Sequence, residues 1–207
     1  YLLLLMFIFF IITFAYSIPT ITPKNYLPFY KVNPFIREHL PWDIYNPNTS
    51  HGKWSTEHIV PRSFFSPDTE GIRDLYNLFN TSPIINSHRS DYKFSERIPV
   101  SRKLASVTSE NIDRPPAFID TTNLNYKDTK RKLWLPIESA RGPVARSILY
   151  MLIVYDHLKA DYIIEPHLLH KWNVNYPPQT WEIQHMWSIY NIQGNVNPFI
   201  LKLAPLP

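Results

Sequence analysis

The chain has 207 residues, 44% of them hydrophobic and 18% charged, which excludes a disordered chain and allows one well-buried domain. A formal net charge of +4 and a pI near 9.2 suit a polyanionic partner without identifying one. Cysteine is absent, so disulfide staples, thiolate metal sites and cysteine nucleophiles are excluded.

Twenty prolines stand against four glycines. Proline fixes φ and cannot donate a backbone hydrogen bond, so loops and short elements should carry much of the chain. Residues 1–17 hold no charge, and Leu2 to Ala15 is an apolar run of signal-peptide length. Ala15 and Ser17 are small residues placed for cleavage after Ser17. The competing reading is an uncleaved membrane anchor. Either one carries the domain, residues 18–207, out of the cytosol.

Residues 19–50 read as an irregular, proline-dense arm, with a helical turn or two over Phe35–Leu40. Trp54 to Phe65 follows, with the β-branched pair Ile59-Val60 ending a short strand before Pro61. Glu57 and His58 sit side by side at that strand end. Neighbours on a strand point to opposite faces. For both to serve one site, the strand must twist or bulge, or the site must wrap its edge. Leu75–Phe79 reads as a second strand. Pro83 then opens a helix on which Asn86, Arg89 and Ser90 fall at i, i+3 and i+4, sharing a face. Two strands and a helix that returns a polar face to the first strand make a ββα unit.

Lys130-Arg131-Lys132 is a basic cluster, either a solvated face or a phosphate contact. Arg141 to Lys159 is the clearest helix, with Pro143 in its first turn and Val144, Ile148, Met151, Tyr155 and Leu158 at helical spacing. Arg146 lies on it. A charge there pairs with a core acid or aims at a phosphate. Further helices are expected near Leu168–Asn173 and Thr180–Tyr190, and a tight turn over Gln193–Phe199.

The polar residues define a chemistry. A neutral imidazole can take a proton from water. One carboxylate and one amide oxygen suit a hard cation such as Mg2+, which keeps several waters and needs few protein ligands. With a guanidinium, these parts suffice for metal-assisted phosphodiester cleavage. A zinc hydrolase built on His51, His58 and His88 is a rival, but the spacing matches no helix-borne ligand pair.

Four blocks carry a resemblance. They are E-H-I-V-P (Glu57 to Pro61), D-L-Y-N-L with I-N-S-H-R-S-D-Y-K-F, R-G-P-V-A-R-S-I-L-Y-M (Arg141 to Met151), and W-N-V-N-Y-P-P-Q-T-W-E with Q-G-N-V-N-P-F. In these blocks the chain resembles the endonuclease I family of periplasmic and secreted non-specific nucleases, built on a ββα-metal (His-Me finger) core. The resemblance covers roughly Trp54 to Phe199. Asp91 departs from it, standing where the family usually has Asn. The resemblance implies an α+β fold, mostly helical and loop-rich, in a single domain. By position, His58 matches the general base, and Glu57 and Asn86 match the protein ligands of one Mg2+, for which Mn2+ or Ca2+ could substitute. Arg89 and Arg146 match the family's arginines, for which a catalytic contact with the phosphate is one reading and, for Arg146, a structural ion pair the other. The expected reaction is cleavage of double- and single-stranded DNA, with RNA as a second substrate, to leave 5′-phosphate ends. The expected state is a secreted or periplasmic monomer with no obligate protein partner. A catalytically silent nucleic-acid binder on the same scaffold is the alternative.

Overall fold

The structure is a computed structural model that describes residues 20–47, 53–66, 69–97 and 125–202. It is a mixed α+β fold. The elements in chain order are α1 (Phe29–His39), β1 (Ser55–His58), β2 (Leu78–Thr81), α2 (Pro83–Arg89), β3 (Lys93–Phe94), β4 (Tyr126–Asp128), β5 (Leu133–Leu135), α3 (Glu138–Val154), α4 (Ala160–Ile163), α5 (Pro166–Asn175) and α6 (Thr180–Gln193). The proposed leader, residues 1–17, and His51 lie outside the described residues. Among those described, no helix is long and apolar enough to cross a membrane.

β1 and β2 pair antiparallel in a two-stranded sheet, with Glu57 opposite Phe79 and His58 opposite Leu78. The pairing continues past the strand end through a side chain. Asn77 Oδ1 accepts from the Val60 N–H at 2.7 Å, and its Nδ2 donates to the Val60 carbonyl at 3.0 Å. The amide thus imitates one more rung of the ladder before Pro61 ends it. The second strand begins later than the sequence implies, because Leu75–Asn77 form a 3-10 turn capped by Asp74. A second sheet has the order β3-β5-β4, with β3 parallel and β4 antiparallel to β5. The basic cluster at 130–132 forms the turn between β4 and β5.

α3 is the buried axis of the molecule. Every residue from Ala140 to Met151 is buried along it. It runs from Glu138 to Val154, so Pro143 sits inside the helix rather than in its first turn, and the residues after Val154 leave it. α5 packs alongside it. The apolar side chains of both helices join Ile36, Leu40, Ile59, Leu78, Ile85 and Trp134 in one core.

The stretch expected to be an irregular arm with a helical turn or two over Phe35–Leu40 holds the longer α1, which starts at Phe29. Val32, Phe35 and Ile36 are its buried face, and their spacing of three and four is what helical periodicity requires. Pro34 obscures the pattern from inside the helix. Its missing N–H leaves the Tyr30 carbonyl without the usual partner four residues on. α2 starts as the sequence predicts, with Ser82 as N-cap, its Oγ accepting from the Ile85 N–H at 3.1 Å. Its end differs. Ser90 caps the helix at φ 52°, in the left-handed region, so it does not extend the Asn86–Arg89 face.

Candidate active site

A cleft of about 840 Å3 opens along β1. Ser55, Thr56, Glu57 and His58 all line it, and four consecutive strand residues cannot share one face of a sheet. The cleft therefore wraps the open edge of β1, which is how Glu57 and His58 reach the same space. Asn86 and Arg89 of α2 line it as well.

Asn86 holds α2 to that edge. Its Nδ2 donates to Ser55 Oγ at 2.7 Å and to the Thr56 carbonyl at 3.1 Å. Both bonds use the amide nitrogen, and among the described residues none uses the amide oxygen.

Glu57 is 1% exposed. Its Oε1 accepts from the Tyr45 hydroxyl at 2.9 Å and faces Arg89 Nε at 3.2 Å. Both contacts fall on one oxygen, and among the described residues no hydrogen bond uses Oε2. Burial pushes the carboxyl up to about 7, opposed by the Arg89 charge and the Tyr45 hydrogen bond. Arg89 is itself buried. It donates to the Ser90 carbonyl at 2.8 Å and to the Ile59 carbonyl, and its guanidinium lies 4.7 Å from the centre of the Phe94 ring. A buried charge on a buried acid, fixed by two carbonyls and a ring, has no freedom to follow a substrate.

His58 is partly buried. Its Nε2 lies 3.1 Å from the Ile72 carbonyl. A carbonyl only accepts, so Nε2 carries the hydrogen and Nδ1 the lone pair. Burial pulls the imidazole down to about 4, and the Arg62 and Arg89 charges push the same way. The ring is neutral at neutral pH.

The segment just after Ile72 positions its carbonyl. Asp74 is fully buried and accepts from the Tyr76 N–H, from the hydroxyls of Tyr150 and Tyr155 (2.8 and 2.9 Å) and from Gln193 Nε2. Burial raises its pKa, and those hydrogen bonds oppose the shift. Gln193 Oε1 in turn accepts from the Leu75 N–H at 2.7 Å. D-L-Y-N-L is thus a structural knot behind His58.

Arg146 does not line the cleft. It is buried in α3 and forms a bidentate pair with Glu182 of α6, at 2.5 Å from Nε and 2.7 Å from Nη2. Its Nη1 donates to the Tyr176 carbonyl at 2.7 Å. This is the core acid partner that the sequence left open as one of two readings. His88 is exposed and contacts Lys127, so it does not join His58. Among the described residues no three His, Asp or Glu side chains gather as a zinc centre requires.

Several residues in and behind the cleft leave no signal in the sequence. Tyr45 holds Glu57 from a segment read as irregular. Arg62 lines the cleft and is exposed, and it directly succeeds E-H-I-V-P. Phe29 and Tyr30 enter from α1.

A model of the Endonuclease I family matches residues 43–203, well over half of the chain. The chain belongs to the Endonuclease I family. An extracellular deoxyribonuclease of Aeromonas hydrophila is 30% identical over 129 residues, covering 62% of this chain and 49% of that protein. A protein of Buchnera aphidicola named Endonuclease-1 is 29% identical over 129 residues, covering 62% of this chain and 44% of its own length. A periplasmic deoxyribonuclease of Aeromonas hydrophila is 28% identical over 130 residues, covering 62% of this chain and 47% of that protein. The chain spans less than half the length of these curated relatives. Glu57, His58, Asn86, Arg89 and Arg146 all fall within the family match, and α1 precedes it.

Proposed function

We propose that this chain is a secreted endonuclease that hydrolyses DNA without sequence preference, using one Mg2+ and His58 as general base. In this reading β1, β2 and α2 form the ββα-metal (His-Me finger) unit. The observation that carries it is the pair of uncommitted oxygens, Glu57 Oε2 and Asn86 Oδ1, in one cleft with a neutral imidazole. One carboxylate and one amide oxygen, with water completing the shell, fit a small hard cation. Mn2+ or Ca2+ would meet the same donors. The cation would supply positive charge to the phosphate and to the departing oxygen.

The side chains have separate tasks. His58 Nδ1 takes a proton from water as the water oxygen bonds to phosphorus. The bond to the 3′ oxygen breaks, solvent reprotonates that oxygen, and the 5′ phosphate stays on the other fragment. The Ile72 carbonyl holds the Nε2 hydrogen and so selects the tautomer. Arg89 is a positioning residue that fixes the Glu57 carboxylate. Arg62 is the exposed cation placed to meet a backbone phosphate. Arg146 stabilises the core and takes no part in the chemistry. Nothing in this machinery reads a base, and phosphate contacts carry no sequence information. RNA is therefore a second candidate substrate.

The names of the relatives, extracellular and periplasmic deoxyribonucleases, support DNA as substrate and a place outside the cytosol. Plasmid nicking tests the reading. Cleavage should require a divalent cation, stop with EDTA, and vanish in His58→Ala with the fold intact by circular dichroism. A folded wild-type protein that cuts nothing with Mg2+ or Mn2+ would leave a silent nucleic-acid binder instead.

A further inference from the structure

Two aromatic rings stand at the rim of the cleft. Tyr30 is 75% exposed and Phe29 50%, and both line the same space as Glu57, His58 and Asn86. They occupy the first turn of α1, ahead of the family match.

Their mounting is rigid. The far face of α1 is buried through Val32, Phe35 and Ile36. Asn33 accepts a hydrogen bond from the Thr56 hydroxyl, which ties the helix to β1 one residue from Glu57. The Arg73 guanidinium lies 5.4 Å from the Phe29 ring centre and 5.8 Å from that of Tyr26. The same guanidinium donates to the Leu27 carbonyl at 3.5 Å. Phe29 is thus backed on one side by a cation while half its surface stays open. The Lys31 ammonium is 5.9 Å from the Tyr30 ring centre. Exposed rings next to cations, held by a packed helix, are the parts of a stacking platform for nucleic-acid bases.

A duplex has no use for such a platform. Its bases are stacked inside, and it offers the protein only phosphates and groove edges. An open aromatic face beside a phosphate-cleaving centre serves a base that has left the stack. We propose that Phe29 and Tyr30 form a shelf on which an unpaired base stacks, so that the cleft favours single-stranded or frayed nucleic acid over intact duplex. This deepens the nuclease reading and rests on it.

Fluorescence anisotropy in EDTA separates the two ideas, because binding is read without cleavage. The probes are a labelled oligothymidine, an abasic strand of equal length, and a duplex of equal length. Tyr30→Ala should weaken binding to oligothymidine about tenfold, the loss of one stacked base. The same change should move the abasic strand and the duplex less than about twofold, since neither offers a free base to stack. Tyr30→Trp should restore the preference. The Tyr30 side chain is largely outside the core, so these variants fold, and Phe29→Ala gives an independent second reading. Equal losses on all three probes, or no loss on any, overturns the shelf. If Mg2+-dependent cleavage survives that result, only the shelf is lost. Wild-type protein that binds none of the probes and cuts nothing overturns the shelf and the nuclease reading together.

Discussion

Arg89 Nε lies 3.2 Å from Glu57 Oε1, and both side chains are 1% exposed. The pair spans the junction of α2 and β1 and fixes the acid at the wall of the cleft. Removing one partner leaves the other charge buried and unpaired, which costs about 3–5 kcal/mol. Arg89→Met should therefore lower stability by about that much in urea unfolding. The double variant with Glu57→Gln should recover part of the loss. Strict additivity of the two single changes would show that the pair is not coupled.

A similar loss without a catalytic consequence is expected at Arg146. Arg146→Met should destabilise the fold through Glu182, again by about 3–5 kcal/mol. Activity per folded molecule should stay within about twofold of wild type, the spread of a change too small to register as lost transition-state stabilisation. Gly142 belongs to the same joint. A Cβ there would overlap the Tyr176 carbonyl oxygen and lie 2.7 Å from Arg146 Nη2. Gly142→Ala should cost about 1–3 kcal/mol by displacing that carbonyl, despite alanine's better helix propensity. A stabilised Gly142→Ala protein would show that α3 and the Tyr176 loop are free to part.

His185 supplies a pH dependence. It is buried near the Phe35 and Phe79 rings, with ring centres 6.1 and 6.4 Å away, and neither nitrogen has a hydrogen-bond partner among the described residues. Burial pulls its pKa down to about 3, and nearby His39 adds to the shift. The unfolded chain gains a proton near pH 6.5 and the folded chain does not. Stability is therefore full above about pH 6.5 and is lost as pH falls toward 3, by about 2 kcal/mol at pH 5 from this residue. His58 bends the curve in the same sense. His185→Leu should flatten the profile between about pH 7 and 5 and raise stability at the acid end. An unchanged slope would mean that His185 is protonated in the fold.

The proposed metal donors predict a linkage that needs no substrate. Ligand that binds only the folded state raises the melting temperature with its concentration. Mg2+ should do so for wild-type protein and for Arg146→Met. Asn86→Ala should melt lower without metal, since α2 loses its bonds to Ser55 and Thr56, and should no longer respond to Mg2+. A full Mg2+ response in Asn86→Ala would remove Asn86 from the donor set.

The parts of the cleft legible in the sequence are the local ones. Pro83 marks the start of α2, and the spacing from Asn86 to Arg89 fixes which way both point. The E-H pair is visible too, although strand geometry cannot say how both reach one space. That answer lies in the open edge of β1, which depends on which strands pair. Arg146 shows the opposite limit. Helical periodicity puts it inside α3, but Glu182, its partner, is distant in sequence. The first half of α1 escapes the pattern because Pro34 interrupts a helix whose buried face is only three residues wide. Tyr45 reaches Glu57, and Gln193 reaches Asp74 and Leu75, through long-range hydrogen bonds, which leave no period in the chain.

The knot at Asp74 has a consequence for biosynthesis. Gln193 bonds both Asp74 and Leu75, Asn195 bonds Tyr150, and the Val196 N–H bonds back to Thr20. The carbonyl that orients His58 is therefore braced by a side chain made 119 positions after Asp74. A nascent chain on the ribosome carries Glu57, His58 and Asn86 long before it carries Gln193. A nascent chain that stops short of Gln193 lacks the bonds that hold Asp74 and Leu75 just after the Ile72 carbonyl.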